Sequence, residues 1–179
     1  MVLYKCRTTL ISENPMSADN QQERLKIDWI VGFTDGEGCF SISVFKNKTS
    51  TLGWQAFPEF AVTQGEKSLD TLNRLQKFFN CGKVFVNRRH DNHKEHLYRY
   101  CVRSIADLNN IIIPFFQKNE LQTSKKNDFR LFVQALELII QRKHLSNTGL
   151  RKIAMLASKM NRKTKSKFLE SSETIRQAS

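Results

Sequence analysis

The stretch Trp29-Ile30-Val31-Gly32-Phe33-Thr34-Asp35-Gly36-Glu37-Gly38 decides how this sequence is read. Upstream of it, Leu25, Ile27 and then Trp29, Ile30, Val31 and Phe33 are dense in apolar residues, which predicts a helix from Glu23 to about Thr34 covered on more than one side. Downstream, Phe40, Ile42 and Val44 alternate with Ser41, Ser43 and Phe45, a strand pattern. The stretch is therefore a helix-to-strand junction. Two of its features are costly in an ordinary helix. Gly32 and Gly36 lie four apart on one face and admit a close second backbone. Each glycine costs roughly 1 kcal/mol of helix stability, so a packing gain has to offset it. Asp35 and Glu37 sit at the helix C-terminus, where the macrodipole disfavours acids unless a cation is near.

Working outward, Lys46 to Gly53 is a polar turn, and Trp54 to Gln64 resumes alternation with Ala56, Pro58, Phe60 and Val62 on one face. Pro58 suits an edge position or a bulge. Leu69, Leu72, Leu75, Phe78 and Phe79 recur at helical spacing, and Gly82 is a candidate C-cap in Asn80-Cys81-Gly82. Lys83 to Arg89 and His96 to Arg103 form a second hairpin. Ser104 to Phe116 is expected to be one helix, opened by Ser104 and Asp107. Helices over Lys126–Arg142 and Asn147–Met160 follow, then a basic and polar tail. Helix–hairpin–helix–hairpin followed by helices implies an α+β domain, with an antiparallel sheet covered on one face and open on the other. Residues 1–20 read as a flexible extension and 21–179 as a single domain, with Met16 an alternative start.

The 179 residues carry a net charge of +12, with a pI near 9.8. That excess suits a polyanion, since each cation placed on a phosphate releases a condensed counterion. No apolar run reaches the ~18 residues of a membrane span, so no membrane partner is expected. Cys6, Cys39, Cys81 and Cys101 lack CxxC spacing and read as free thiols of a soluble intracellular protein, in an organelle or a prokaryotic cytoplasm. His90, His93 and His96 recur every third residue, but at a hairpin tip, where polar residues are expected in any case.

The motif string resembles that of the LAGLIDADG homing endonucleases and related maturases. The likeness extends to Phe60-Ala61-Val62-Thr63-Gln64, to Ile113-Pro114-Phe115-Phe116 and to Lys125-Lys126-Asn127-Asp128-Phe129. It implies an αββαββα core with a saddle-shaped sheet and extra C-terminal helices. It also implies site-specific, Mg²⁺-dependent cleavage of double-stranded DNA, with no small-molecule substrate. On that resemblance Glu37 is the metal ligand, helped by the Gly38 carbonyl, with Asp35 structural or a secondary candidate. Gln64 positions water or metal, and Lys125 or Lys126 polarises the scissile phosphate or solvent. Relatives closest in pattern have an arginine four residues after the glutamine. Ser68 stands there in this chain, and Lys67 is the substitute.

One motif copy implies a homodimer paired through Trp29, Gly32 and Gly36, and a pseudo-palindromic target. Strand parity then nominates Ser41, Ser43, Asn47, Gln55 and Glu59 in the first hairpin, and Lys83, Asn87, Arg89, Arg99 and Arg103 in the second, as DNA-reading residues. Lys46, Lys48, Lys143, Lys163 and Lys165 are candidates for phosphate. A maturase or a non-cleaving DNA-binding protein on the same fold is the alternative.

Overall fold

The computed structural model describes residues 25–87, 96–160 and 167–171. Helix α1 (Ile27–Glu37) runs into strand β1 (Gly38–Lys46), which turns back as β2 (Trp54–Gly65). Helix α2 (Leu69–Phe79) leads to β3 (Lys83–Asn87) and β4 (Leu97–Val102). The helical elements α3 (Ile105–Asp107), α4 (Ile113–Lys118), α5 (Lys125–Ile140) and α6 (Asn147–Ser158) follow. The sheet is antiparallel with order β1-β2-β4-β3, so the two hairpins join through β2 and β4. This is the α+β architecture expected from the sequence.

Several local outcomes refine the expectation. The α1 helix begins at Ile27 and persists to Glu37, so both acids of the motif lie inside it. Only part of its surface is covered: Ile30, Val31 and Thr34 are buried, while Ile27 and Trp29 are exposed. Gly38 has little choice of residue, because a Cβ there would meet Thr34 Cγ2 at 2.6 Å. Its N–H donates to the Thr34 carbonyl and closes the helix. Pro58 pairs with Ile42 of β1, but β2 pairs with β4 only from Phe60 onward. The proline therefore occupies a stretch with one strand neighbour, where its missing donor is tolerated.

At the end of α2 it is Asn80, not Gly82, that takes the left-handed C-cap, with φ 49°. Gly82 also has positive φ, and a Cβ there would meet the Cys101 carbonyl at 2.6 Å, so this glycine serves close approach to β4. The single helix expected over Ser104–Phe116 is divided. Ser104 caps α3 by accepting from Asp107 N–H, and a π-helical turn, Leu108–Ile112, then separates α3 from α4. Pro114 lies at the start of α4. Proline supplies no N–H and its ring crowds the carbonyl four residues back, which favours the wider turn.

The core lies between the sheet and helices α2, α5 and α6. Phe40 of β1 is at its centre, stacked on Phe60 with centroids 4.9 Å apart and edge-on to Phe129 and Phe116 at 5.0 and 5.5 Å. Phe40, Phe60, Phe116 and Phe132 are all fully buried. This aromatic core fixes the register of β1 on β2, and with it the position of the α1–β1 junction. Among the described residues no helix is long and apolar enough to cross a membrane.

Candidate DNA-cleavage site and reading face

The α1–β1 junction gathers the candidate catalytic groups. Glu37, the last residue of α1, is exposed, and its carboxylate makes no hydrogen bond or ion pair to any described residue. Asp35, two residues earlier, is fully used. Its carboxylate accepts from Gln122 N–H at 2.7 Å, from Thr123 N–H at 3.3 Å and from Thr123 Oγ1 at 2.7 Å. It thereby ties the end of α1 to the turn that leads into α5. The two acids divide their duties: one braces the junction, and one remains available to a ligand.

Lys125 and Lys126, indistinguishable in the sequence, also part company. Lys125 is half-buried and its Nζ donates to the Gly38 carbonyl. Its ammonium thus lies at the negative end of the α1 dipole. Lys126 instead pairs with Glu120 at 2.6 Å, an interaction that holds the Glu120 carboxyl below its usual range. Gln64 stands one residue from the end of β2. Gly38 pairs with Val62, so Gln64 extends two residues past that pair, toward the end of α1. Lys67 lies in the short turn after β2 and is exposed.

The strand register defines the open face. Ser41 pairs with Glu59, Ser43 with Phe57 and Phe45 with Gln55. Lys83 pairs with Cys101, Phe85 with Arg99 and Asn87 with Leu97. Opposed residues share a face, so the described reading candidates of both hairpins fall on one side of the sheet, away from the helices. Asn47 and Gln55 are joined at the hairpin end by a 2.6 Å hydrogen bond. Arg89, Lys163, Lys165 and the residues 88–95 that hold His90 and His93 lie outside the described residues.

Glu59 differs from the other reading candidates. It is buried, and each of its carboxylate oxygens holds one arginine: Arg99 Nη2 at 2.5 Å and Arg103 Nε at 2.6 Å. The Glu59 hydrogen bond raises the Arg103 pKa further. Arg103 also lies over Phe57 and Phe85, its Cζ 5.5 and 5.3 Å from their centroids. Beneath this cluster, burial and the nearby Glu59 charge push the Cys101 thiol up to about 11. The three phenylalanines Phe45, Phe57 and Phe85 are members of this face that the sequence reading omitted. The alternation carries the signal, since Phe45 shares the parity of Ser41 and Ser43.

On α1, Trp29 and Phe33 stack with centroids 4.6 Å apart. A Cβ added at Gly32 or Gly36 would meet nothing within 4 Å, so no packing among the described residues requires either glycine.

Comparison with known proteins accords with this geometry. Residues 30–136 match the family model described as LAGLIDADG endonuclease. The chain belongs to that family. It is 33% identical over 138 residues to "Probable intron-encoded endonuclease 2" of Neurospora crassa, covering 76% of this chain and 29% of that protein. "Probable intron-encoded endonuclease 3" of the same organism is 37% identical over 131 residues, covering 73% of this chain and 24% of that protein. The chain thus spans about a quarter of the length of these curated relatives. Among solved structures it is similar to the homing endonuclease I-TnaI, with TM-score 0.74, 37% identity and coverage of 86% of this chain and 99% of that one. It is also similar to the meganuclease I-SmaMI bound to uncleavable DNA, with TM-score 0.74, 34% identity and coverage of 83% of this chain and 48% of that one.

Proposed function

We propose that this protein is an intron-encoded homing endonuclease that hydrolyses double-stranded DNA at a long, specific target with the help of a divalent cation. The observation that carries this reading is the division of labour at the motif. Asp35 is consumed by the fold, whereas Glu37 stands beside it, exposed and without a partner among the described residues. A binding protein gains nothing from an unpaired carboxylate facing phosphate, which repels it.

Glu37 and the carbonyl of Gly38, whose second lone pair the Lys125 bond leaves open, are hard oxygen donors and fit Mg²⁺, which keeps several waters and takes phosphate oxygens as further ligands. Such an ion, when bound, activates a water and stabilises the leaving oxygen. The protein groups supply the rest. Gln64 orients the attacking water by its amide. Lys125 brings a cation to the junction, fixed by its bond to Gly38, where it offsets charge building on the scissile phosphate. Lys67 is placed to contact an adjacent phosphate. The open sheet face enters the major groove, with Ser41, Ser43, Asn47, Gln55, Lys83, Asn87, Arg89, Arg99 and Arg103 as candidate contacts and Glu59 orienting the last two. Lys46, Lys48 and Lys143 serve phosphates.

One junction cuts one strand, so double-strand cleavage requires a second. A homodimer paired through Trp29, Gly32 and Gly36 supplies it, and the open space beside both glycines supports that pairing. A second reading is that this unit is half of a longer two-unit polypeptide, favoured by the 48% share of the I-SmaMI chain that it matches. The intron-encoded fungal relatives favour an organelle as the site of action.

The deciding experiment incubates the protein with a randomised duplex library and Mg²⁺, then sequences the ends. Reproducible cut sites are expected, lost with EDTA and lost in Glu37→Gln, which should still bind the target. Sequence-specific binding without any cut sites would reverse the assignment in favour of a regulator.

A further inference from the structure

The open face carries a feature that phosphate binding and polar base contacts do not use. Phe45 and Phe85 are 43% and 42% exposed, and Phe57 is half-exposed between them. Phe45 meets Phe57 edge-on, with centroids 6.1 Å apart. Phe57 and Phe85 flank the Arg103 guanidinium. The stripe Phe45–Phe57–Arg103–Phe85 therefore takes one side chain from each of β1, β2 and β3, joined by a residue that follows β4. Exposed apolar groups arrayed across an otherwise polar and cationic surface mark an interaction site.

Resting on the DNA-cleavage reading, we propose that Phe45, Phe57 and Phe85 form an apolar subsite that recognises the 5-methyl groups of thymine in the major groove. The groove floor presents few apolar groups, and the thymine methyl is the one that distinguishes a base pair. The surroundings fit a polyanion: Lys83, Arg99 and Arg103 border the stripe, and Glu59, the acid among them, is neutralised by two arginines. A protein partner for an apolar stripe would not call for this cationic border. An RNA duplex offers uracil, without the methyl, and a groove too narrow for the sheet. The subsite therefore also separates a DNA target from an RNA one. Arg103 is held in place by Glu59 through Nε, by Cys101 Sγ through Nη2 at 4.0 Å, and by the two rings.

The test uses the target recovered from the cut-site library. Each thymine is replaced singly by deoxyuridine, which removes one methyl and leaves the Watson–Crick edge intact, and Kd is measured for each duplex. Burial of one methyl predicts an affinity loss of about three- to fivefold at one or more positions per half-site. The same replacements should lose their effect in Phe57→Ala or Phe85→Ala, whose exposed side chains are removable without opening the core. Circular dichroism checks that these variants fold, and Phe85→Leu should keep part of the penalty. Deoxyuridine tolerated within twofold at every thymine, or penalties that persist in all the phenylalanine variants, would overturn the subsite while leaving the endonuclease standing. Failure to bind or cut any DNA would instead overturn the functional reading, and the subsite with it.

Discussion

The ammonium of Lys125, the first residue of α5, donates to the carbonyl of Gly38, the first residue of β1. The contact joins two segments 87 positions apart at the point where Glu37 emerges. A half-buried lysine held this way would carry its charge to the proposed reaction site without depending on a flexible tether. Lys125→Met should therefore lower kcat by about a hundredfold or more, the scale of losing one electrostatic contact to a transition state, while Kd for the target changes little. Lys126→Met should lower kcat far less, because its charge is spent on Glu120. Single-turnover cleavage separates the two, and equal losses would show that the Gly38 contact has no catalytic weight.

Asp35 should behave as a structural residue. It accepts three hydrogen bonds from the 122–123 turn. Removing a charged acceptor of this kind costs roughly 1–3 kcal/mol. Asp35→Ala is expected to lower the urea midpoint accordingly, yet to retain measurable cutting at low temperature. Glu37→Gln should show the reverse pattern, with stability kept and cutting lost.

The cluster on the open face makes a different prediction. Glu59→Gln removes the charge that separates Arg99 from Arg103. Two guanidiniums then face each other with only an amide between them. Discrimination between target and unrelated DNA should fall, while non-specific binding strengthens and its salt dependence steepens by about one unit of slope, since one more cation is free for phosphate. Titrations at three salt concentrations on both DNAs read this directly.

How far the sequence foretold this site differs residue by residue. The period change at Gly38 announced the helix-to-strand junction, and alternation placed Ser41 and Glu59 on the open face. Both follow from geometry that repeats every two or 3.6 residues. The separation of Asp35 from Glu37 came from the family resemblance and not from local pattern, and that of Lys125 from Lys126 was not legible at all. Each depends on a partner about 87 residues away, and adjacent residues of like chemistry carry no local sign of which one meets it. The π turn before Pro114 and the left-handed Asn80 were missed for a related reason: a proline or an asparagine permits several local solutions, and packing selects one. The aromatic stripe is legible by parity, but alternation alone does not mark an exposed phenylalanine as part of a reading surface.

The thiol beneath the arginines should make stability fall in alkali. Burial first, and then the Glu59 charge, raise Cys101 from 9.0 to about 11. A raised pKa means that the unfolded chain releases this proton at lower pH than the folded one. The stabilising contribution is therefore complete below pH 9 and is lost as pH rises from 9 to 11. Buried Tyr100, also shifted upward by burial, extends the decline. Urea midpoints measured from pH 8 to 11 should decrease, and Cys101→Ala should flatten the slope between 9 and 11. An unchanged slope in that variant would show that Cys101 does not titrate differently in the two states.

The motif glycines offer the sharpest separation of folding from assembly. Gly32 and Gly36 are exposed, and a Cβ at either meets nothing within 4 Å among the described residues. Considered alone, Gly32→Ala should then stabilise α1, because alanine is favoured over glycine inside a helix by roughly 1 kcal/mol. The proposed helix pairing, which would bring two Glu37 carboxylates together, imposes the opposite requirement: a methyl at that contact would push the two backbones apart. Gly32→Ala, and more strongly Gly32→Val, should therefore raise or preserve the unfolding midpoint of the isolated unit while shifting light-scattering mass toward the monomer. Double-strand cleavage should fall with the loss of pairing. If the variant assembles and cuts as the parent does, the pairing runs through another surface, and the stacked pair of Trp29 and Phe33, 4.6 Å apart on the same helix, is the next to substitute.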